Sequence, residues 1–410
     1  MRDEGGNPSQ APKLSLRAEA TAYAAAFFSI GLQPMANVVV PLWAIHLGIP
    51  PLLFGIVMGS RSLLPFLFAI HGGVMIDRFG AGRVMLVCAV GTGLLSLLYP
   101  TLPYVGPLIA LQIFVGMSTT MGWIGAQTQI GKLTRGHPLY MGRFTFASTI
   151  ANFFSPMAVG AAWDFGGAWT GFAVIALWSL GLLLSCLALP VPGEAPPRTG
   201  RAGIAGVLPS ITDYRASLAL LLIPAVGFAV MASFLMNATF SMRFAFYVVY
   251  LEKIGFQGTL IGVLVGTASL SGAVFALFIG PALRRFDAGH LLVATIVIAA
   301  IGIGATPTFD DFIGLFFFAC VFGLGTGLGM ALIYSEMSSS APIEKLGASI
   351  GLRATANRGS SLAVPVLMGA IVQLHGLHAG FYVVAGLIIV GALGGLLLLR
   401  RREPGKSGAY

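Results

Sequence analysis

The segment from Gly73 to Arg83 reads GVMIDRFGAGR, and 207 residues later the chain repeats it as GPALRRFDAGH, from Gly280 to His290. The same offset pairs Gly48 with Gly255, Gly55 with Gly262, Gly59 with Gly266, Ser62 with Ser269, Pro100 with Pro307 and Gly116 with Gly323. Further along each copy, SPMAVGAAWDFGGAWTGF (Ser155 to Phe172) aligns with VPVLMGAIVQLHGLHAGF (Val364 to Phe381) after a small change of length. The chain is thus two copies of one unit in parallel order, and both copies are expected to take the same fold.

What that unit is follows from its solvent. Only 9% of the 410 residues are charged and 57% are hydrophobic, against roughly 25% charged in ordinary soluble domains. Apolar runs of spanning length recur between short Gly- and Pro-marked breaks, so the chain reads as an all-α membrane protein. The pattern predicts twelve helices, near 20–46, 51–72, 83–101, 104–127, 139–162, 170–190, 219–251, 259–280, 290–306, 312–335, 351–373 and 378–399. They divide into an N-terminal six-helix bundle over 1–190, with a polar tail at 1–19, and a C-terminal six-helix bundle over 219–399. Between them, 191–218 is Pro- and Gly-rich and reads as a cytoplasmic central loop, with room for a short surface helix near Pro209 to Arg215; 400–410 reads as a cytoplasmic tail. The polar start runs into a long apolar stretch without a small-residue cleavage site, so a cleaved signal peptide is not expected.

The net charge of +9 invites a nucleic-acid reading, and its distribution removes it. With the N-terminus inside, Lys and Arg fall almost wholly on inner segments: Arg2, Lys13 and Arg17, Arg78 and Arg83, Lys132, Arg135 and Arg143, Arg284 and Arg285, and the Arg400 to Lys406 cluster. Outer loops hold only Lys253. The asymmetry places both termini in the cytoplasm of a multi-pass protein, expected in a bacterial inner membrane. Cys88, Cys186 and Cys320 sit singly in apolar runs and read as packing residues; no metal-ligand cluster or nucleophile–base pair marks an enzyme. FGLGTGLGMAL, with Gly323, Gly325, Gly327 and Gly329, mimics a phosphate loop. No strand precedes it, so the glycines are read as close helix packing.

The first repeated loop resembles the pattern G-x-x-x-D-[RK]-x-G-[RK]-[RK] between helices two and three of major facilitator superfamily transporters. Gly73, Asp77, Arg78 and Gly80 are in register, and the basic pair is reduced to Arg83. With twelve helices, a central loop and a degenerate second copy, the likeness covers nearly the whole chain. It implies two pseudo-symmetric bundles rocking around a central site, with Gly73, Asp77, Arg78, Gly80 and Arg83 as a conformational latch. The fifth helix keeps small residues at Gly142, Ala151, Ser155, Pro156 and Gly160, a thinned version of the family's antiporter motif. The resemblance further implies a small-molecule substrate, no cofactor, no metal, and a monomer; a coupling proton or an exchanged anion would drive transport as antiport or symport. The family's proton-exchange Arg in helix four is absent: Gln112 precedes Gly116. No carboxylate lies near the middle of a helix; Glu336 is at an inner end, and Asp164, Glu252, Asp310 and Asp311 read as outer-loop residues.

Arginines carry the sharpest signal. Arg61 falls near the middle of the second helix, where insertion costs ~2.5–3.5 kcal/mol, and its counterpart in the other copy is Ala268. Arg243 shares a face with Tyr247 and Tyr250 in helix seven, and Arg358 lies in helix eleven. Buried cations without buried acids suit an anionic substrate. The neutral polar set around them is Gln33 and Asn37 in helix one, Gln112, Trp123 and Gln127 in helix four, Asn152 in helix five, Asn237 in helix seven and Asn357 in helix eleven. Helix-to-helix hydrogen bonding is the alternative role for these. The expected function is alternating-access transport of a small organic anion or carboxylate-bearing metabolite. Two rivals are a proton-coupled exporter of neutral or amphipathic compounds and a transport-inactive sensor or assembly factor with the same fold.

Overall fold

The computed structural model describes residues 15–68, 76, 79–134, 137–189, 220–340 and 346–400. Among them the chain is helical, without strands, and its helices make twelve passes. In the first half these are α1 (Leu16–His46), α2 (Pro51–Ser60, resuming as Leu63–Leu67), α3 (Ala81–Leu98), α4 (Val105–Thr134), α5 (138–165) and α6 (168–188). In the second they are α7 (Pro224–Met242, continuing to Lys253), α8 (Gly258–Ala276), α9 (Ala288–Gly304), α10 (Phe312–Ser340), α11 (346–375) and α12 (377–400). The expected central loop and its short helix, and most of the 400–410 tail, lie outside the described residues.

Two uninterrupted runs are far too long for one crossing. Pro138–Ala188 has 51 residues, or about 75 Å at 1.5 Å per residue, against a hydrocarbon core of about 30 Å. Gly166 and Gly167 break it: Gly167 has φ +67°, ψ −143°. The Thr170 hydroxyl donates back across the break to the Ala162 carbonyl at 2.5 Å. Gly376, the counterpart of Gly167, does the same between α11 and α12 with φ +83°, ψ 170°.

Burial sorts the helices into a centre and a rim. In the most apolar stretch of α1, 72% of residues are buried, and in α7 67%, against 28% in α3. Val87 and Leu94 of α3, Leu177 and Leu184 of α6, Ile301 of α9 and Leu387 and Val390 of α12 are exposed and offer apolar side chains to lipid. Within the second half the four glycines of FGLGTGLGMAL pack as the sequence suggests. A Cβ on Gly327 would overlap the Gly272 carbonyl, and Cβ atoms on Gly325 and Gly329 would crowd α9.

The halves meet along two seams related by the duplication. On one, Gly55 and Gly59 of α2 lie against the Pro365 and Leu362 carbonyls of α11, and Gly369 of α11 lies against the Pro51 carbonyl. On the other, Gly262 and Gly266 of α8 meet the Pro156 and Phe153 carbonyls of α5, and Gly160 meets the Gly258 carbonyl. Each contact maps onto its partner at the repeat offsets. The seams run along the parts of the helices nearest the 47–50 and 254–257 turns, here the far face; the ends at Leu16 and Arg400 form the near face. The Phe54 and Phe246 rings, 5.0 Å apart, add a third crossing.

The repeated loops differ for a local reason. Gly80 starts α3 with φ +85° and no side-chain cap, whereas Asp287 starts α9 at φ −61° and accepts from the His290 N–H at 3.0 Å. Burial works against the charged Asp287 carboxyl, but the hydrogen bonds from His290 and Gly289 outweigh it and hold the carboxyl below its ordinary range.

Candidate functional site

Arg61 occupies a break in its helix. α2 stops at Ser60, Arg61 and Ser62 form a turn, and helix resumes at Leu63. The break is accommodated by Gly116 of α4, where a Cβ would overlap the Arg61 carbonyl. Arg61 is 9% exposed, and its guanidinium donates to Asn37 Oδ1 and to Thr119 Oγ1, each at 3.2 Å. Thr119 in turn donates to the Val115 carbonyl at 2.9 Å. Both partners are neutral, so the positive charge stays uncompensated. The Asn37 amide nitrogen is buried and has no hydrogen-bond partner among the described residues. Arg358 of α11 is half-buried.

Arg243 is the second buried cation, 5% exposed. It opens a π-helical turn, Arg243–Tyr247, inside α7, a geometry that often marks functional positions. Its guanidinium donates to the Leu264 carbonyl of α8 at 2.8 Å. It lies over two rings, 4.8 Å from the Tyr247 centroid and 4.9 Å from that of Phe322. Cation–π contacts of this kind stabilise a desolvated guanidinium without neutralising it. At the repeat offset Arg243 stands where the first half has the buried Ala36. Among the described residues, neither Arg61, Arg243 nor Arg358 makes an ion pair; Arg143 pairs with Glu19 at 3.1 Å, away from them.

A neutral cluster lies between α7 and α11. Asn237 Nδ2 donates to the Asn357 carbonyl at 2.7 Å and to Ser361 Oγ at 2.8 Å, and Ser233 Oγ donates to Asn357 Oδ1 at 2.8 Å. Ser233 is buried, whereas Asn237, Asn357 and Ser361 are half-buried, which leaves the cluster within reach of a polar ligand.

The structure thus brings Arg61 to Asn37, Arg243 to Tyr247, and Asn237 to Asn357. Other expected site residues are placed differently. Gln112 is fully buried and accepts from the Tyr99 hydroxyl at 3.1 Å, bracing α3 against α4. Asn152 donates to the Ser148 carbonyl of its own helix at 3.0 Å. Trp123 is half-buried and stacks on Phe144, with centroids 5.4 Å apart. Gln33 is half-buried and Gln127 exposed. Tyr250 turns away from Arg243 and donates to Asp310 at 2.7 Å. Of the expected latch, Gly73, Asp77 and Arg78 lie outside the described residues; Gly80 caps α3 and Arg83 is exposed in its first turn. Asp164 and Glu252 are not loop residues: they belong to the last turns of α5 and α7. Thr119 and Phe322 escape a reading of the sequence, because one Thr or Phe in an apolar helix carries no pattern. Among the described residues no three His, Cys, Asp or Glu side chains gather as a metal site.

The sequence profile of the Major Facilitator Superfamily matches residues 21–258 and 228–409. No curated protein sequence matches the chain. Among solved structures, a point mutant of the nucleoside transporter NupG superposes with a TM-score of 0.80 at 14% identity, over 93% of this chain and 99% of that one. A bacterial homologue of the human lysosomal transporter Spinster, in an inward-facing and unoccupied conformation, gives 0.71 at 12% identity, over 95% and 98%. The human organic anion transporter MFSD10 (TETRAN) gives 0.58 at 16% identity, over 92% and 98%. At these identities the likeness is one of fold. Two profile matches that together cover nearly the whole chain, on a duplicated bundle of twelve helices, make it a member of the Major Facilitator Superfamily, a transporter and not an enzyme.

Proposed function

We propose that the chain moves a small organic anion, or a metabolite bearing a carboxylate, by alternating access between its two halves. The observation that carries this reading is the set of Arg61, Arg243 and Arg358, drawn from both halves and without an acidic partner among the described residues. A carboxylate would accept bidentate bonds from such a guanidinium. The free Asn37 amide beside Arg61 offers a further donor. The half-buried Asn237, Asn357 and Ser361 would meet hydroxyl or amide groups elsewhere on the substrate. Gln112 and Thr119 hold the site rather than touch the ligand. The distribution of Lys and Arg supports a cytoplasmic near face, and the glycine seams support a state closed on the far side.

The test is counterflow in liposomes across a panel of carboxylates, with Arg61→Gln, Arg61→Lys and Arg243→Gln. Each lost charge-assisted bond is worth about 1.5–3 kcal/mol, so the Gln variants are expected to raise KM at least tenfold. Arg61→Lys is expected to recover only part of the loss, since a compact ammonium lacks the planar fork that meets a carboxylate with two parallel bonds. Unchanged transport of every anion by the Gln variants would sink the reading and favour a carrier of neutral compounds.

A further inference from the structure

Two polar caps cross between the halves at the far face. Asp164, in the last turn of α5, accepts from the Gly258 N–H with Oδ1 at 2.6 Å. Its Oδ2 accepts from the Thr259 N–H at 2.8 Å and from the Thr259 hydroxyl at 2.6 Å. On the other seam Gln373, at the same level of α11, accepts from the Leu52 N–H with Oε1 at 3.2 Å. Asp164 and Gln373 are counterparts in the duplication, and so are Thr259 and Leu52. Neither receiving helix caps itself: Pro50 before α2 and Gln257 before α8 make no side-chain cap bond. The first amides of a helix need acceptors and carry its positive end. Here each half supplies the acceptor for the other.

We propose that Asp164 and Gln373 form a paired latch of the far-side gate, capping α8 and α2 in trans only while that gate is closed. The proposal rests on the alternating-access reading. Drawing the halves apart along the glycine seams would separate α5 from α8 and α11 from α2 together, and so break both caps at once. The latch is unequal. Asp164 makes three bonds with a carboxylate, and Gln373 makes one with a neutral amide. Asp164 therefore sets most of the closed population. Both residues lie at the exposed rim, away from the arginines, so the latch acts on the equilibrium between states and not on ligand contacts.

Distances between spin labels test this in ligand-free protein whose Cys88, Cys186 and Cys320 have been replaced by Ala. One pair, Trp169→Cys with Lys253→Cys, reports the far face, and another, Leu139→Cys with Leu283→Cys, reports the near face; each pair spans the halves at exposed positions. Asp164→Ala is expected to raise the far-open to far-closed ratio about fivefold, the change in equilibrium that a lost N-cap implies. Asp164→Asn and Gln373→Ala should each do less, the double Ala variant most, and Gln373→Glu should favour closure beyond wild type. Opening must be reciprocal, with the near-face pair shortening as the far-face pair lengthens. Wild-type distances in the Ala variants would overturn the proposal, and so would broadening of both pairs together, which would mean loosened packing. Because no substrate is present, a chain that transports without these shifts loses the latch and keeps its function; one that shifts without transporting does the reverse.

Discussion

At the scale of single residues, the duplication supplies its own control. Gly116 makes room for the Arg61 carbonyl, and its counterpart Gly323 makes room for the carbonyl of Ala268, which is the counterpart of Arg61. The same glycine device serves one half that carries a buried charge and one that does not. Placing a methyl at either position pushes backbone against backbone, a fault of about 1–3 kcal/mol in a packed core. Gly116→Ala and Gly323→Ala are therefore expected to lower thermal stability by similar amounts. Only Gly116→Ala displaces Arg61, so only it should weaken ligand-induced stabilisation, measured by thermal unfolding with and without a carboxylate substrate. Equal loss of binding in both would mean that Arg61 does not touch the ligand. Arg61 was legible in the sequence because a charge in an apolar run is costly and its copy lacks it. Thr119, which holds it, was not, because a threonine that bonds its own helix belongs in any apolar segment.

At the scale of elements, glycine does three different jobs, and only two could be read ahead. The four glycines of FGLGTGLGMAL announced close packing, and the Gly- and Pro-marked breaks announced the turns. The seams and the break of α2 at Arg61 had no such mark, since Gly55, Gly262 and Gly116 showed only duplication in the sequence and tertiary packing gives them their roles. The turns allow a sharp prediction. Gly167 and Gly376 lie at φ +67°, ψ −143° and φ +83°, ψ 170°, a region open essentially to glycine alone. Nothing lies within 4 Å of a Cβ at either site. Substitution there is therefore penalised by backbone strain, not by crowding. Gly376→Ala is expected to cost about 1–3 kcal/mol in thermal unfolding. Asn, which rescues ordinary left-handed positions, should not rescue this one, because its favoured ψ is far from 170°. An Asn variant clearly more stable than the Ala variant would show that the turn relaxes to the left-handed helical region.

At the scale of the whole molecule, the broken symmetry matters more than the symmetry. The two halves share their seams, turns and helix order, yet each places its central cation on a different helix, Arg61 on α2 and Arg243 on α7, where the other half has Ala268 and Ala36. If a ligand spans both cations, neither half binds it alone. Separate expression of 1–190 and 219–410 tests this, along with the domain boundaries read from the sequence. The halves should co-purify when co-expressed, because the glycine seams bury backbone against backbone along α2–α11 and α5–α8. At a ligand concentration of 100 Kd the reconstituted pair should gain about 2.7 kcal/mol of apparent stability. Each half by itself lacks the other's charge-assisted bonds, worth about 1.5–3 kcal/mol apiece, and so should gain little at the same concentration. A full shift in one isolated half would place the whole site inside that bundle. The arginine of the other half would then be left to packing, as the bond from Arg243 to the Leu264 carbonyl already permits.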